Sequence, residues 1–313
     1  MSEAARIRSL VARFGGRSDR LVVPSGDDAA VARPAGTVLV TSIDAVVQDV
    51  HFQLPLWPLE AVGHKAVAAA LSDLAAMGAS AGEIYVAAGL PRAMSDEDFD
   101  ALCDGIAAAA SCSGAVVAGG DLSSAGELWL SVTVIGYAAD EDSIVTRYGA
   151  RAGDIVVVTG ELGASQHALN MISSGVASGA SDPRLARQFA PTPRFAAGAA
   201  LAASGATAMI DISDGLARDA GHIASASGVG LTIELSSIPL AAGITDASSA
   251  ASSGEEYELL ATVPQEKLEF AIDAVAETGT TLTAIGQVTE GSEAQLLDAA
   301  GARVELRGFD HFD

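Results

Sequence analysis

Short Gly- or Ser-flanked carboxylate motifs recur along this 313-residue chain, most of them where an apolar run with strand character gives way to a turn or helix. The carboxylates lie in Gly26-Asp27-Asp28-Ala29, Ser42-Ile43-Asp44, Ser72-Asp73, Gly119-Gly120-Asp121, Asp211-Ile212-Ser213-Asp214-Gly215 and Gly254-Glu255-Glu256-Tyr257-Glu258. Acids set among Ala, Val and Gly have few basic neighbours to pair with, so divalent cations are their natural partners. Hard oxygen donors select Mg²⁺, and Mg²⁺ in turn binds phosphates. The pattern points to a magnesium-dependent enzyme acting on phosphorylated substrates.

Composition narrows the classes. Half the residues are hydrophobic and 18% are charged, which excludes a disordered chain. Aromatic residues make up only 4%, so the core is built from Ala, Val, Leu and Ile. A formal net charge of −23 rules against non-specific nucleic-acid binding and against attachment to an anionic membrane. The only lysines are Lys65 and Lys267, a bias that fits either adaptation to high salt or a host rich in Ala and Arg. The uncharged runs 105–120 and 195–210 are shorter than a membrane span, and the start has no signal-peptide character. Cys103 and Cys112 show no metal or redox spacing and read as two buried thiols in a reducing cytoplasm.

Periodicity gives an α/β chain of two domains, 1–148 and 149–313, divided at the polar stretch 147–154. In the first, 37–43 reads as a buried strand with Asp44 at its end. A helix follows over 59–77 with Gly78 as its stop, then a strand over 83–90. Ser95 opens a further helix as a capping box with Asp98, 115–118 is a short run into Gly119-Gly120-Asp121, and 127–137 is a longer strand. In the second, strands fall at 155–159, 208–212, 231–235, 258–263 and 281–288. Gly160 and Gly163 lead into a helix, and 248–253 reads as a Ser/Ala loop.

Each motif also has a plain structural explanation. Gly26-Asp27-Asp28 suits a β-turn, and Asp44 a strand terminus. Asp73 sits inside an apolar helical stretch, where an uncompensated carboxylate is costly; it calls for a cation or a hydrogen-bond cluster. In an extended strand Asp211 and Ser213 point to one side and Asp214 turns out at the end, so a helix cap accounts for Ser213 or Asp214 but not Asp211 as well. Glu255, Glu256 and Glu258 fit a solvated helix start as well as a site, and His51 by itself reads as a core or surface histidine. Neither a G-x-x-x-x-G-K-[ST] loop nor a kinase-type glycine loop with its strand lysine is present.

In order, GDDAAV, SIDAVVQDVHF, VGHKAVAAALSDLAAMGA, VAGGDLSS, TRYGARAGD, VVTGELGAS, APTPR, DISDGLARDAGHIA, SGEEYELL and GFDHF span almost the whole chain. This series resembles the thiamine-monophosphate kinases, of the superfamily that includes aminoimidazole ribonucleotide synthetase and selenophosphate synthetase. The resemblance implies ATP-dependent phosphorylation of thiamine monophosphate to thiamine diphosphate. It also implies a homodimer whose N-terminal domains pair through their sheets, each followed by an α/β C-terminal domain. At matching positions it assigns magnesium to Asp28, Ser42, Ile43, Asp44, Asp73, Asp121, Asp211 and Asp214. It assigns ATP to Gly120, Asp121, Arg147 and Ser213, and the thiamine phosphate to His51, Glu255 and Phe309. The chain departs from the family pattern at Ile43, where Thr is usual, so a metal contact there must come from a backbone carbonyl. It departs again at Ser253 and Glu256, in place of the first Gly and the Asp of Gly-Gly-Glu-Asp.

The acceptor in such a reaction is a phosphate oxygen, ionised near neutral pH because the second pKa of a phosphate monoester is about 6. No general base is needed, and direct in-line transfer without a phosphoenzyme follows. Among relatives, selenophosphate synthetase carries a reactive Cys or selenocysteine near its N-terminus, whereas the first Cys here is Cys103. The hydrogenase-maturation relative ends in Cys, and this chain ends in Asp313.

Overall fold

The computed structural model describes residues 3–14, 19–23, 29–176, 182–306 and 308–309. Among these the elements run α1 Glu3–Phe14, β1 Leu21–Val23, β2 Val31–Ala32, β3 Val38–Val47, α2 Leu59–Ala76, β4 Ser80–Pro91, α3 Asp96–Ser113, β5 Val116–Ala125 and β6 Trp129–Ala138. They continue β7 Ile155–Thr159, α4 Ala164–Ser173, α5 Ala186–Phe189, α6 Phe195–Ser204, β8 Ala208–Asp211, α7 Leu216–Ser227, β9 Gly230–Glu234, α8 Ala247–Ser252, β10 Leu259–Val263, α9 Leu268–Ala276, β11 Leu282–Thr289, β12 Ala294–Leu297 and β13 Arg303–Val304. Two compact units result, one of 1–74, 80–141 and 172–192, the other of 75–79, 142–171 and 193–313.

The first unit holds a four-stranded sheet in the order β3-β6-β4-β5, antiparallel except for the β4–β5 pair. One face is apolar and buried, with Val40, Val46, Ile84, Ala88, Leu130, Val132 and Val134. On the other face of β3, Leu39 is 58% and Ile43 67% exposed. An antiparallel sheet can leave one face uncovered, and the alternating burial along β6 has this origin. β3 is therefore an edge strand of ten residues, and not a buried strand that stops at Asp44: Asp44 lies inside it, opposite Val132. The Gly119-Gly120-Asp121 segment is likewise interior, because β5 continues to Ala125.

Small residues set how closely α2 and α3 pack. A Cβ at Gly63 would come within 2.2 Å of the Leu102 carbonyl oxygen, and one at Gly105 within 1.9 Å of the Glu60 carbonyl oxygen. Backbone thus meets backbone at the crossing. Ser95 caps α3 as anticipated, its Oγ accepting from the Asp98 N–H at 3.0 Å, but the Asp98 carboxylate accepts from the Ser95 hydroxyl at 2.7 Å, a side-chain bond in place of the reciprocal backbone bond of a full capping box. Cys103 is buried on α3 and burial pushes its thiol up to about 12, while Cys112 is exposed rather than buried.

The second unit is built on a seven-stranded mixed sheet, order β13-β12-β9-β11-β7-β10-β8. Val156 and Val158 pack on one side with Leu216, Ile223 and Ala250, and Val157 packs on the other with Leu201, Ala271 and Val275. Helices α7 and α8 thus cover one face and α6 and α9 the other, which is why β7 and β10 read as unbroken apolar runs. Strands β12 and β13 escape sequence reading because each is too short for a period to show. The stretch 248–253 is not a loop: it forms α8, capped by Asp246, whose carboxylate accepts from the Ser248 N–H at 3.0 Å.

Replacing Gly105 by Ala should lower stability in urea denaturation by about 2 kcal/mol, because overpacking against backbone outweighs a helix-propensity gain of about 1 kcal/mol. Gly221→Ala in α7, whose Cβ would meet nothing within 4 Å, should be neutral or stabilising in the same measurement.

Candidate functional site

In the first unit, β3 and α2 bring two of the singled-out residues together. Ser42 Oγ donates to Asp73 Oδ2 at 2.5 Å, so the half-buried helical carboxylate has a hydroxyl partner. Ser42 and Asp44, two apart on β3, share the face that also carries Val40 and Val46. Strand register puts Asp44, Val132, Val86 and Gly120 in one transverse row, and Asp121 in the next row with Ala87, Ser131 and Ala45. Asp121 therefore faces the opposite side of the sheet from Ser42 and Asp44 within one chain. Ile43 points to that opposite, open face as well. His51 lies in the turn after β3, where its Nδ1 accepts from the Val47 N–H at 3.1 Å. Asp28 lies outside the described residues.

Gly119, Gly120 and Asp121 also border an apolar cavity of about 500 Å³ between α1, α3 and the β4–β5 edge. Phe99, Leu102 and Ile106 of α3 and Leu10 and Phe14 of α1 form its walls.

In the second unit, β8 ends at Asp211, which is buried, and residues 212–215 turn into α7. Ser213 is thus in the turn and not in the strand. Neither Ser213 nor Asp214 caps the helix through its side chain. The turn is shaped from the helix side, where Asp219 Oδ2 accepts from the backbone N–H groups of both Ser213 and Asp214 at 3.1 Å. Asp219 is buried, and burial first, then Asp211 and Asp214, push its carboxyl up to about 8, against the two backbone hydrogen bonds. One ligand atom from each of Asp214, Asp219 and His222 lies within 4.8 Å of the others. Burial, then Arg147 and Arg218, lower the His222 pKa, with Asp214 opposing. The loop of exposed Arg147 is held by Ser227 Oγ, which donates to the Arg147 carbonyl at 3.1 Å and accepts from the Gly149 and Ala150 N–H groups.

The same turn gathers two more predicted residues. The Glu255 N–H donates to the Ser213 carbonyl at 2.7 Å, and the Phe309 N–H to the Asp214 carbonyl at 3.0 Å. Arg218 lies 3.5 Å from the Asp214 carboxylate and donates to the Phe309 carbonyl. The Phe309 ring remains half exposed beside this knot.

The three glutamates of 254–258 are not a solvated helix start. Glu256 and Glu258 are buried at 1% and 0% exposure, while Glu255 is only partly buried. Glu258 accepts from Arg194 Nε at 2.8 Å, Arg194 Nη2 at 2.5 Å and Thr159 Oγ1 at 2.7 Å. A Cβ at Gly160 would come within 2.3 Å of its carboxylate, so that position admits no side chain. Asp219, His222, Arg194 and the structural roles of Glu256 and Glu258 were beyond the motif reading. One signal was present for Asp219: an acid on the helical stripe of Leu216, Ala220 and Ile223.

The donors around these turns are carboxylate, hydroxyl and carbonyl oxygens, the set that suits Mg²⁺, with the His222 imidazole beside Asp214 and Asp219.

Residues 26–138 match the AIR synthase related protein N-terminal domain, and residues 151–298 match its C-terminal domain. The thiamine-monophosphate kinase of Mycobacterium tuberculosis is 43% identical over 217 residues, which is 69% of this chain and 64% of that relative. The chain thus spans just under two thirds of the mycobacterial protein. The thiamine-monophosphate kinase of Halobacterium salinarum is 38% identical over 283 residues, 89% of this chain and 92% of the relative. Among solved structures, the thiamine-monophosphate kinase of Stenotrophomonas maltophilia K279a superposes with a TM-score of 0.83 at 31% identity, covering 93% of this chain and 94% of that one. AaThiL complexed with AMPPCP and TMP superposes with a TM-score of 0.78 at 28% identity, covering 99% and 97%.

Asp219 should make the stability of the metal-free protein pH-dependent. Its folded pKa, about 8, lies above the ordinary carboxyl value of 3.8, so its contribution to stability is full below pH 4 and is lost as pH rises toward 8. In chelated buffer the melting temperature should fall across that window, and Asp219→Asn should flatten the fall. An equal fall in the variant would assign it to other groups.

Proposed function

Because the chain belongs to the thiamine-monophosphate kinase family of the AIR synthase related proteins, we propose that it transfers the γ-phosphoryl group of ATP to thiamine monophosphate, forming thiamine diphosphate. The observation that carries this reading is the likeness, over 99% of the chain, to a structure holding AMPPCP and TMP, a nucleotide and an acceptor together. Arg147, Ser213 and Gly120 contact ATP, and His51, Glu255 and Phe309 hold the acceptor. Asp44, Asp73, Asp121, Asp211 and Asp214, with Asp28, the Ser42 hydroxyl and the Ile43 carbonyl, hold magnesium. Magnesium, when bound, supplies the positive charge that lets two phosphorylated anions approach. Residues 1–148 serve as the ATP- and magnesium-binding part and 149–313 as the α/β part.

The acceptor oxygen is a nucleophile already deprotonated near neutral pH, since the relevant pKa is about 6. The protein therefore has no proton to remove, and positioning and charge carry the catalysis. Transfer is direct and in line, with no covalent intermediate on the chain. The protein works in the cytoplasm as a homodimer, and the open sheet face with Leu39 and Ile43 is where the second copy packs. No helix among the described residues is long and apolar enough to cross a membrane.

A coupled assay should show thiamine diphosphate formed from ATP and thiamine monophosphate only with Mg²⁺, and no turnover of formylglycinamidine ribonucleotide. Asp73→Asn and Asp211→Asn should each lower kcat/KM by about 100-fold or more, the scale of losing one electrostatic contact in a transition state. Parent-like turnover in both variants would remove these residues from the site. Incubation with γ-labelled ATP alone should leave the chain unlabelled.

A further inference from the structure

Glu255 and Tyr257 both hold positive φ, at 60° and 53°, and neither is glycine. For a residue with a side chain that conformation costs about 1–2 kcal/mol, so the surroundings must impose it. Backbone bonds do so from one side: the Glu255 N–H reaches the Ser213 carbonyl at 2.7 Å and the Tyr257 N–H the Ile212 carbonyl at 2.9 Å. Glu256, between them, turns the other way. Its Oε1 accepts from the Gly163 N–H at 2.9 Å and the Ser165 N–H at 3.2 Å, in the first turn of α4. Ser253 Oγ donates to the same oxygen at 2.5 Å and accepts from the Gln166 N–H at 3.2 Å. Both side chains are 1% exposed.

The carboxylate therefore occupies the anion position of a helix N-terminus, where backbone N–H groups and the helix dipole favour negative charge. That end of α4 is closed to a phosphate, and the acidic turn is tied to the helix instead. Ser253 and Glu256 are also the two departures from the Gly-Gly-Glu-Asp pattern, and the fold places them in direct contact. The longer arm of Glu256 and the added hydroxyl of Ser253 meet at one oxygen.

We propose that Ser253 and Glu256 form a coupled positioning pair that anchors the acidic turn to α4 and so presents Glu255 to the acceptor substrate. The inference rests on the kinase reading above for the identity of that acceptor. The pair acts through Glu255 and touches neither substrate.

The test is steady-state kinetics of the full chain with each substrate varied, joined to amide hydrogen exchange of the ligand-free protein. Ser253→Ala, a small change, should raise KM for thiamine monophosphate about three- to tenfold while leaving KM for ATP and kcat near the parent's, the scale of one lost hydrogen bond. Glu256→Ala should shift the same parameter further, and Glu256→Gln, which keeps the reach and an acceptor oxygen, should recover most of the loss. The effects of Ser253→Ala and Glu256→Ala should be less than additive in the double variant. Amides of Gly163, Ser165, Glu255 and Tyr257 should exchange faster in Ser253→Ala and Glu256→Ala, a readout that needs no substrate. Equal rises in both KM values, unchanged KM for thiamine monophosphate, or unchanged exchange at Glu255 and Tyr257 would overturn the pairing even with the parent fully active. A parent that forms no thiamine diphosphate would instead overturn the kinase reading, with exchange still deciding whether the pair holds the turn.

Discussion

A carboxylate inside an Ala/Val core must be satisfied by something, and among the described residues backbone N–H and hydroxyl groups do this beside arginine. Forty acidic residues face seventeen Lys and Arg. Burying an unpaired charge costs several kcal/mol, so each inward acid has to find hydrogen bonds. Asp219 takes two backbone N–H groups, Glu256 two more and a hydroxyl, and Asp154 accepts from the Arg151 N–H at 2.9 Å and Thr207 Oγ1 at 2.6 Å. Arginine pairs with two of the buried acids: Arg194 with Glu258, and Arg20 at 3.5 Å from Glu83, which also receives the Tyr137 hydroxyl at 2.6 Å. Breaking such a pair from one side costs about 3–5 kcal/mol, because the remaining charge stays buried. The loops that join strand to helix are shaped by these bonds.

The same constraint sorts the acids by role. Along 254–258 the inward side chains, Glu256 and Glu258, are consumed by structure, and Glu255 before them is only partly buried. In the Asp211–Gly215 turn the division is similar. Asp219 reaches back from α7 to fix the backbone of Ser213 and Asp214, whose side chains are then displayed and not spent as helix caps. In each case a structural acid sits within a few residues of a displayed one. An acidic motif in this chain is a displayed group and its support, encoded together.

Strands and helices with a full period were legible: β7, β10, β11, α2 and α3 fall within a few residues of the sequence reading, because long runs and a capping serine leave strong local signals. What local pattern could not show was how far a strand continues once its inward residues stop being uniformly apolar. Asp44 and Gly119-Gly120-Asp121 looked like strand ends because polarity begins there. They are strand interiors, since β3 and β5 are edge strands that tolerate polar residues on one side. Ser42 and Asp73 could be named from motifs, but the 2.5 Å bond between them depends on how α2 lies on the sheet, which no spacing encodes. The glutamates of 254–258 were ambiguous for a related reason. Three acids in four residues look solvated until the partners on Arg194, Thr159 and α4, some sixty to a hundred residues away, are brought to them.

The placement of Asp121 bears on how the sheet is used. Its row in the register carries Ala87, Ser131 and Ala45 on the open face, where Ile43 is 67% exposed, while Ser42 and Asp44 lie on the helix-covered side. A single copy of this sheet cannot direct Asp121 and Asp44 from one face toward one ion, because residues in adjacent rows point oppositely. The proposed metal ligands of the first unit therefore divide into a helix-side group, in which Asp73 and Ser42 are already bonded, and an open-face group. A second copy packed on the open face would cover Ile43 and enclose Asp121 at once. The exposed apolar surface of β3 and the apparent misplacement of one acid thus have a common physical explanation in the proposed homodimer.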